Sequence, residues 1–278
     1  MKRASYVTPM PSLSELTTHL AGLRRFLLGY SGGVDSGLLA VAGRQALGRE
    51  DMLAVIGRSP SYPAAQWEAA LALASQFDVP LLQLETRELD DPRYVANAPD
   101  RCYFCKSELW ARLGAVATAR GFNVVIDGTN ADDLTEHRPG LRAAGEHGVR
   151  SPLAELGWSK AHVRAAAREL GLPTSDAPAS PCLSSRIRYG LAVTPERLAQ
   201  VEAGEAYLRG LGVSGDLRVR HHGATARVEV GADHQARLRN RWDDVRTFFR
   251  SLGFAGVELD PRGYRRGSLL TVVSDPGR

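Results

Sequence analysis

Apolar residues at Leu13, Leu16, Leu20 and Leu23 keep a helical spacing, so residues 13–24 are expected to form an amphipathic helix. A continuous apolar run follows at residues 26–30, Phe-Leu-Leu-Gly-Tyr, which reads as a short buried strand. The chain then alternates. Residues 37–47 predict a helix, 52–57 a strand, 63–77 a helix, 81–85 a strand, 107–120 a helix and 124–127 a strand. This alternation predicts an α/β fold with a doubly wound parallel sheet. In such a sheet the end of the second strand, at Gly57, is expected to lie beside the first strand's loop, at the switch point where ligands bind. A further helix, residues 159–170, ends at Gly171-Leu172-Pro173, a helix-stopping sequence.

Beyond this the pattern changes. Pro178, Pro181 and Gly190 make residues 174–194 irregular, and a domain boundary is expected there, with domains at 1–185 and 186–278. Thr194 and Pro195 supply the cap and first residue of a helix running to about residue 210. Residues 217–221 and 226–230 alternate like paired strands. A helix over 233–252, broken near Asn240, and short strands near 255–259 and 268–273 complete a smaller α+β domain.

With 278 residues, 44% hydrophobic and 24% charged, the composition is that of a globular protein. No apolar run approaches a membrane span, and Met1–Ser5 begins no signal peptide, so a cytoplasmic protein is expected. The net charge of +4 suits either nucleic acid or a phosphate-bearing small substrate. There is no long basic run and no aromatic-studded basic stretch, which argues against RNA.

The first strand and helix are joined by Ser31-Gly32-Gly33-Val34-Asp35-Ser36. Glycines there let the backbone approach a ligand, and the unpaired amides of the helix start favour an anion. Ser31 and Ser36 add hydroxyl donors. Asp35 would repel phosphate unless a divalent cation lay between them. The string lacks the lysine of the common G-x-x-x-x-G-K-[ST] phosphate loop. It resembles instead the signature loop of the PP-loop ATP pyrophosphatases, which cleave ATP between its α and β phosphates and adenylate an acceptor. The fourth strand delivers Asp127-Gly128-Thr129-Asn130-Ala131-Asp132-Asp133, which also resembles that superfamily. The resemblance implies ATP and Mg2+ as cofactors, with Gly128, Thr129, Asn130 and Asp132 completing the site.

Three cysteines remain: Cys102 and Cys105 in a C-x-x-C, and Cys182 at the expected domain junction. From spacing alone a [4Fe–4S] cluster with one open iron, a structural zinc with a fourth ligand, a redox pair and unliganded thiols all stay open. The combination of S-G-G-V-D-S, R-C-Y-F-C-K, D-G-T-N-A-D-D-L, R-P-G-L-R-A-A, V-R-S-P-L, C-L-S-S-R-I and R-V-R-H-H-G resembles the LarE family of ATP-dependent sulfur transferases, through nearly the whole chain. That resemblance implies adenylation of a carboxylate of pyridinium-3,5-dicarboxylate mononucleotide and its conversion to a thiocarboxylate, for a nickel-pincer nucleotide cofactor. Some members sacrifice the sulfur of one cysteine, at the place of Cys182. Others hold three cysteines on a [4Fe–4S] cluster, and Cys102 and Cys105 put this chain with them.

The implied substrate carries a phosphate and carboxylates, which Arg218 and Arg220 can clamp from one strand face. Ser185 and Arg186 adjoin Cys182 and are expected to hold the acyl-adenylate. Glu205, or Glu202 on the same helix, is expected to bind a metal or orient substrate, while His221 and His222 read as structural or surface residues rather than ligands. A homo-oligomer and a sulfide-donating partner are also implied. Three other readings are a tRNA thiolase of the same superfamily, an ammonia-dependent ligase resembling NAD or GMP synthetases, and a non-catalytic ATP-binding regulator.

Overall fold

A computed structural model describes residues 11–135, 139–178 and 180–265. In chain order the helices are α1 Leu13–Gly22, α2 Val34–Leu47, α3 Ala64–Gln76, α4 Pro92–Val95, α5 Arg101–Arg120, α6 Pro139–Glu146, α7 Pro152–Glu155, α8 Lys160–Glu169, α9 Pro195–Gly210, α10 Ala232–Asn240 and α11 Trp242–Ser251. The strands are β1 Phe26–Gly29, β2 Met52–Arg58, β3 Leu81–Glu85, β4 Val124–Ile126, β5 Leu217–His221, β6 Thr225–Val230 and β7 Gly256–Leu259. They belong to two compact units. One contains the residues up to Arg58, Gln66–Thr86 and Lys106–Ala177; the other contains Ser59–Ala65, Arg87–Cys105 and the residues from Pro178.

The first unit is a parallel sheet of order β3-β2-β1-β4 flanked by helices. Central strands of a parallel sheet are covered on both faces, so they need unbroken apolar runs. Phe26, Leu27 and Leu28 of β1 and Met52 to Ile56 of β2 meet that need and are all buried. Helix α1 is capped by Ser12, whose hydroxyl accepts from the Glu15 amide at 3.2 Å. Glycine lets α5 cross β1 closely: a Cβ at Gly29 would stand 2.6 Å from the Trp110 ring.

Two expectations change here. The strand order reverses between β1 and β4, not between β1 and β2, because β2 and β3 are laid down on one side of β1 and β4 on the other. The crevice of the switch point therefore opens between the loops that follow β1 and β4. Helix α5 also begins at Arg101 rather than at 107, so the C-x-x-C lies in its first turn. Its aromatic side chains explain this: Phe104, with Cys105, packs on a small core of Tyr94, Leu183, Ile187, Val193, Leu198 and Val201.

In the second unit β5 and β6 pair antiparallel, and β7 lies parallel beside β6. Alternating Leu217, Val219, Val228 and Val230 fill the core with Leu208, Leu238, Val245 and Phe249 from the helices. Thr194 caps α9 by accepting from the Arg197 amide at 3.3 Å, and Pro195 takes the first helical position. The expected break near Asn240 separates α10 from α11 at Arg241. The strand expected at 268–273 lies outside the described residues. No described helix is long and apolar enough to cross a membrane.

His221 and His222 are structural in their surroundings. The His221 ring meets Gln200 Oε1 at 2.9 Å and packs against Phe254. Burial first, then nearby arginines, push the pKa of each histidine down to about 4. Each is neutral in the fold but protonates at about pH 6.5 once unfolded, so the unfolded state binds more protons between those values. Stability is therefore expected to fall as pH drops from 6.5 towards 4. Urea midpoints across that range check this, and His221→Gln should flatten the slope.

Candidate active site

The loop after β1 folds onto the start of α2. Gly32 takes φ +64°, in the left-handed region that glycine adopts freely. Gly33 is the N-cap of α2 and offers no side chain to its amides, so the helix start presents bare N–H groups. Ser36 Oγ accepts from the Ser31 amide at 3.1 Å and lies 3.1 Å from Ser31 Oγ, which closes the loop into a ring of donors. Gln66 steadies it from α3, donating to the Ser31 carbonyl at 3.1 Å.

The loop after β4 packs directly on this helix start. A Cβ at Gly128 would stand 2.9 Å from the Ser36 amide nitrogen and 3.1 Å from Asp35 Cβ. Asn130, buried, donates from Nδ2 to Asp35 Oδ1 at 3.1 Å and accepts the Asp132 amide on Oδ1 at 3.0 Å. Thr129 spends its amide and hydroxyl on the Asp127 carboxylate, at 3.0 and 2.8 Å. Ser151 also donates to Asp127, at 2.7 Å. Asp132 Oδ2 accepts the Lys160 amide at 2.8 Å, and Lys160 Nζ reaches Asp35 Oδ2 at 2.5 Å. The two loops thus form one constellation around the anion-binding end of α2, with a carboxylate and a lysine at its mouth. Gly57 instead faces packing: a Cβ there would meet Thr86 at 3.0 Å and Leu109 at 3.1 Å.

All three cysteines belong to the second unit, and none of them forms a disulfide among the described residues. Cys182 precedes a tight turn, Leu183–Arg186, and its carbonyl is heavily used. It accepts from the Ser185 amide at 3.0 Å, the Ser185 hydroxyl at 2.8 Å and Arg186 Nη1 at 3.0 Å. The Cys182 sulfur lies 3.0 Å from Ser184 Oγ. Arg186, 2% exposed, also forms an ion pair with Glu205 at 3.0 Å, and Glu205 accepts the Val219 amide at 3.1 Å. Arg220 pairs with the buried Glu229 at 2.9 Å and donates to the Ser185 carbonyl at 3.1 Å. Arg218 lies against the Tyr264 ring. Burial, then the neighbouring Arg186, lower its pKa below the usual arginine value, so an anion placed there is favoured. Glu202 accepts the Ala64 amide at 2.6 Å.

The thiols share electrostatic neighbours. Burial, then the Cys182 and Cys105 thiols, raise the pKa of Tyr94. Burial works against the charge on Arg101, but Cys182 and Cys102 outweigh it and raise that pKa. Among the described residues no three His, Cys, Asp or Glu side chains are grouped to hold a metal ion. An iron–sulfur cluster makes a wider demand, since each thiolate binds its own iron corner. Cys182 and Cys105 act on Tyr94, and Cys182 and Cys102 on Arg101, from two segments of one unit, and three thiols are the donor type such a cluster takes. Mg2+ needs one or two carboxylates and otherwise takes phosphate oxygens, which Asp35 at the open end of α2 suits.

Comparison with known proteins agrees with this arrangement. The NAD synthase family profile matches residues 14–176. An uncharacterized protein of Synechocystis sp. is 43% identical over 94% of this chain and 98% of its own length. A pyridinium-3,5-bisthiocarboxylic acid mononucleotide synthase of Lactiplantibacillus plantarum is 36% identical over 93% of this chain and 94% of its own length. The chain belongs to the LarE family. An uncharacterized protein of Methanocaldococcus jannaschii is 30% identical over 87% of the chain. As a LarE-family chain with an NAD synthase-like unit it is an ATP-using enzyme.

The structure brings Ser31, Gly32, Gly33, Asp35, Ser36, Gly128, Thr129, Asn130 and Asp132 together at the start of α2. Lys160 and Ser151 are not among the residues that the sequence singles out, and Asp127 stands in the quoted string with no role of its own. Lys160 carried a signal, because a lysine at the first position of a helix sits against the helix dipole and calls for a reason. Gly128→Ala tests the packing of the two loops. A new Cβ against the Ser36 amide is an overpacking of about 1–3 kcal/mol, so ATP affinity should fall by about tenfold. Titration with a non-hydrolysable ATP analogue reads this directly.

Proposed function

We propose that this chain uses ATP to adenylate a carboxylate of pyridinium-3,5-dicarboxylate mononucleotide, releasing pyrophosphate, and then converts it to a thiocarboxylate with loss of AMP. The carrying observation is the convergence of the β1 and β4 loops on the bare helix start of α2, in a chain 36% identical over 93% of its length to a pyridinium-3,5-bisthiocarboxylic acid mononucleotide synthase.

Amides from Gly32 to Ser36, including Val34, and the hydroxyls of Ser31 and Ser36 hold the ATP phosphates. Asp35 would hold Mg2+, which would offset the phosphate charge, and Lys160 beside Asp35 brings a further positive charge to that end of the site. Asn130 orients Asp35, while Thr129, Asp132 and Gly128 set the position of the β4 loop; Gly57 keeps the neighbouring strand end close to α5. Arg218 takes the substrate's phosphate or carboxylate. Arg220, Glu205, Arg186 and Ser185 hold the Cys182 turn rather than the acyl-adenylate itself, since their hydrogen bonds run to that turn.

Cys102, Cys105 and Cys182 would hold a [4Fe–4S] cluster. When bound, such a cluster would supply an iron corner without a protein ligand, open to the sulfide that is transferred. The same reading calls for a sulfide donor, a homo-oligomer and a cytoplasmic setting.

The NAD synthase match takes in Cys102 and Cys105 but ends at residue 176, before Cys182, so an ammonia-dependent ligase leaves Cys182 and the strands after it without a task. Anaerobically prepared protein given ATP, Mg2+, the dicarboxylate mononucleotide and sulfide should yield AMP and a product about 16 Da heavier, oxygen having been replaced by sulfur. An amide formed with ammonia in place of sulfide would favour the ligase, and no AMP with either would overturn the proposal.

A further inference from the structure

Two buried polar side chains near the cysteines have no part in the chemistry above. Asn97 is fully buried and takes φ +55°, a left-handed conformation that asparagine tolerates better than most residues. Its Nδ2 is shared among the carbonyls of Ile187 at 3.2 Å, Arg188 at 2.9 Å and Leu191 at 2.9 Å. Its Oδ1 accepts from Arg101 Nη1, and the same Nη1 donates to the Ser184 carbonyl at 3.0 Å. The backbone adds two ties: Gly190 donates to the Asn97 carbonyl at 3.2 Å, and Val193 to that of Val95 at 2.9 Å.

Together these bonds join the segment carrying Cys102 and Cys105 to the segment carrying Cys182. Arg101 is 4% exposed, its hydrogen-bond partners are neutral and it pairs with no carboxylate among the described residues, so apart from the hydrogen bonds its charge has only the Cys182 and Cys102 thiols to support it. A buried guanidinium without a carboxylate is a costly way to hold two segments together; apolar side chains would do it more cheaply. What hydrogen bonds add over apolar packing is a fixed register.

We propose that Asn97 and Arg101 form a positioning clamp for the sulfur centre: they fix the 182–191 loop against the first turn of α5, so that Cys182 faces Cys102 and Cys105. The clamp rests on reading the three thiols as one centre. It also accounts for the position of Arg101, directly before the C-x-x-C, where one residue serves both segments.

The test uses the whole chain in iron-free form, without ATP or substrate. In a Cys102→Ser background, dibromobimane, which fluoresces on bridging two thiols, should join Cys105 to Cys182, with peptide mapping to identify the bridge. Asn97→Ala or Arg101→Met should cut the yield by about fivefold, as expected when one or two hydrogen bonds that fix a register are lost. Arg101→Lys should recover part of it. The melting midpoint of Arg101→Met should stay within a few degrees of the parent, because a costly buried charge has gone with the hydrogen bonds. Equal cross-linking in all variants, or none in the Cys102→Ser parent, overturns the clamp. So does a fall in yield that tracks unfolding, which would make Arg101 an ordinary structural residue. Sulfur transfer is assayed separately, so a parent that cross-links but transfers no sulfur overturns the proposed function and not the clamp.

Discussion

Asp35→Asn is expected to lower the conversion of ATP to AMP and pyrophosphate by at least about a hundredfold, the scale on which one preorganised electrostatic group acts in a reacting site. Asp35 sits in the first turn of α2, between Asn130 at 3.1 Å and Lys160 at 2.5 Å. An asparagine keeps the shape and still accepts from Asn130. It leaves Lys160 without a counter-charge and removes the negative charge that holds Mg2+ beside phosphate. The fold should be spared, because an ion pair open to solvent contributes about 0–1 kcal/mol. Pyrophosphate release and thermal melting, measured together, separate the two effects. Full activity in this variant would take Asp35 out of the site.

Cys182→Ala is expected to end thiocarboxylate formation while the ATP-to-AMP step persists. The backbone of the turn keeps its bonds to Ser185 and Arg186, which alanine does not disturb, so the loss is of the sulfur alone. Cys102→Ala and Cys105→Ala separate two ways of supplying that sulfur. If the thiols work as one iron-bearing centre, each change removes bound iron and multiple turnover. If Cys182 gives up its own sulfur, the other two changes leave a single turnover intact. Cys182 then becomes dehydroalanine, lighter by about 34 Da, the mass of hydrogen sulfide. Mass spectrometry of the Cys182 peptide after one turnover reads the difference.

The parts legible in the sequence are those whose partners are close along the chain. β1, α2 and the Ser31–Ser36 loop form one continuous signal, and so do Gly128, Thr129 and Asn130 at the end of β4. The spacing of α9 and the alternation of β5 and β6 were equally plain. What was hidden depends on distant partners. Lys160 lies 125 residues from Asp35, and Ser151 lies 24 from Asp127. Asn97 acts on carbonyls 90 to 94 residues away. α6 and α7 are short, at 8 and 4 residues, and offer too few turns for a helical period to emerge. The first turn of α5 was missed because its cysteines and aromatics read as a ligand-binding loop. Arg186 and Arg220 were legible as charges. Their ion pairs with Glu205 and Glu229 were not, since a strand pattern does not say which charge faces which.

The thiol-bearing unit is assembled from stretches far apart along the chain: 59–65, 87–105 and the residues from 178. During synthesis Cys102, Cys105, Tyr94 and Phe104 emerge well before their partners. At about 5–20 residues per second, roughly 4–15 s pass before Cys182 and the residues that follow it can meet them. For that interval the nascent chain carries two unsheltered thiols and an unfilled apolar seat. Its yield in a cell should therefore depend on reducing conditions and on chaperones that cover the seat until the last stretch arrives.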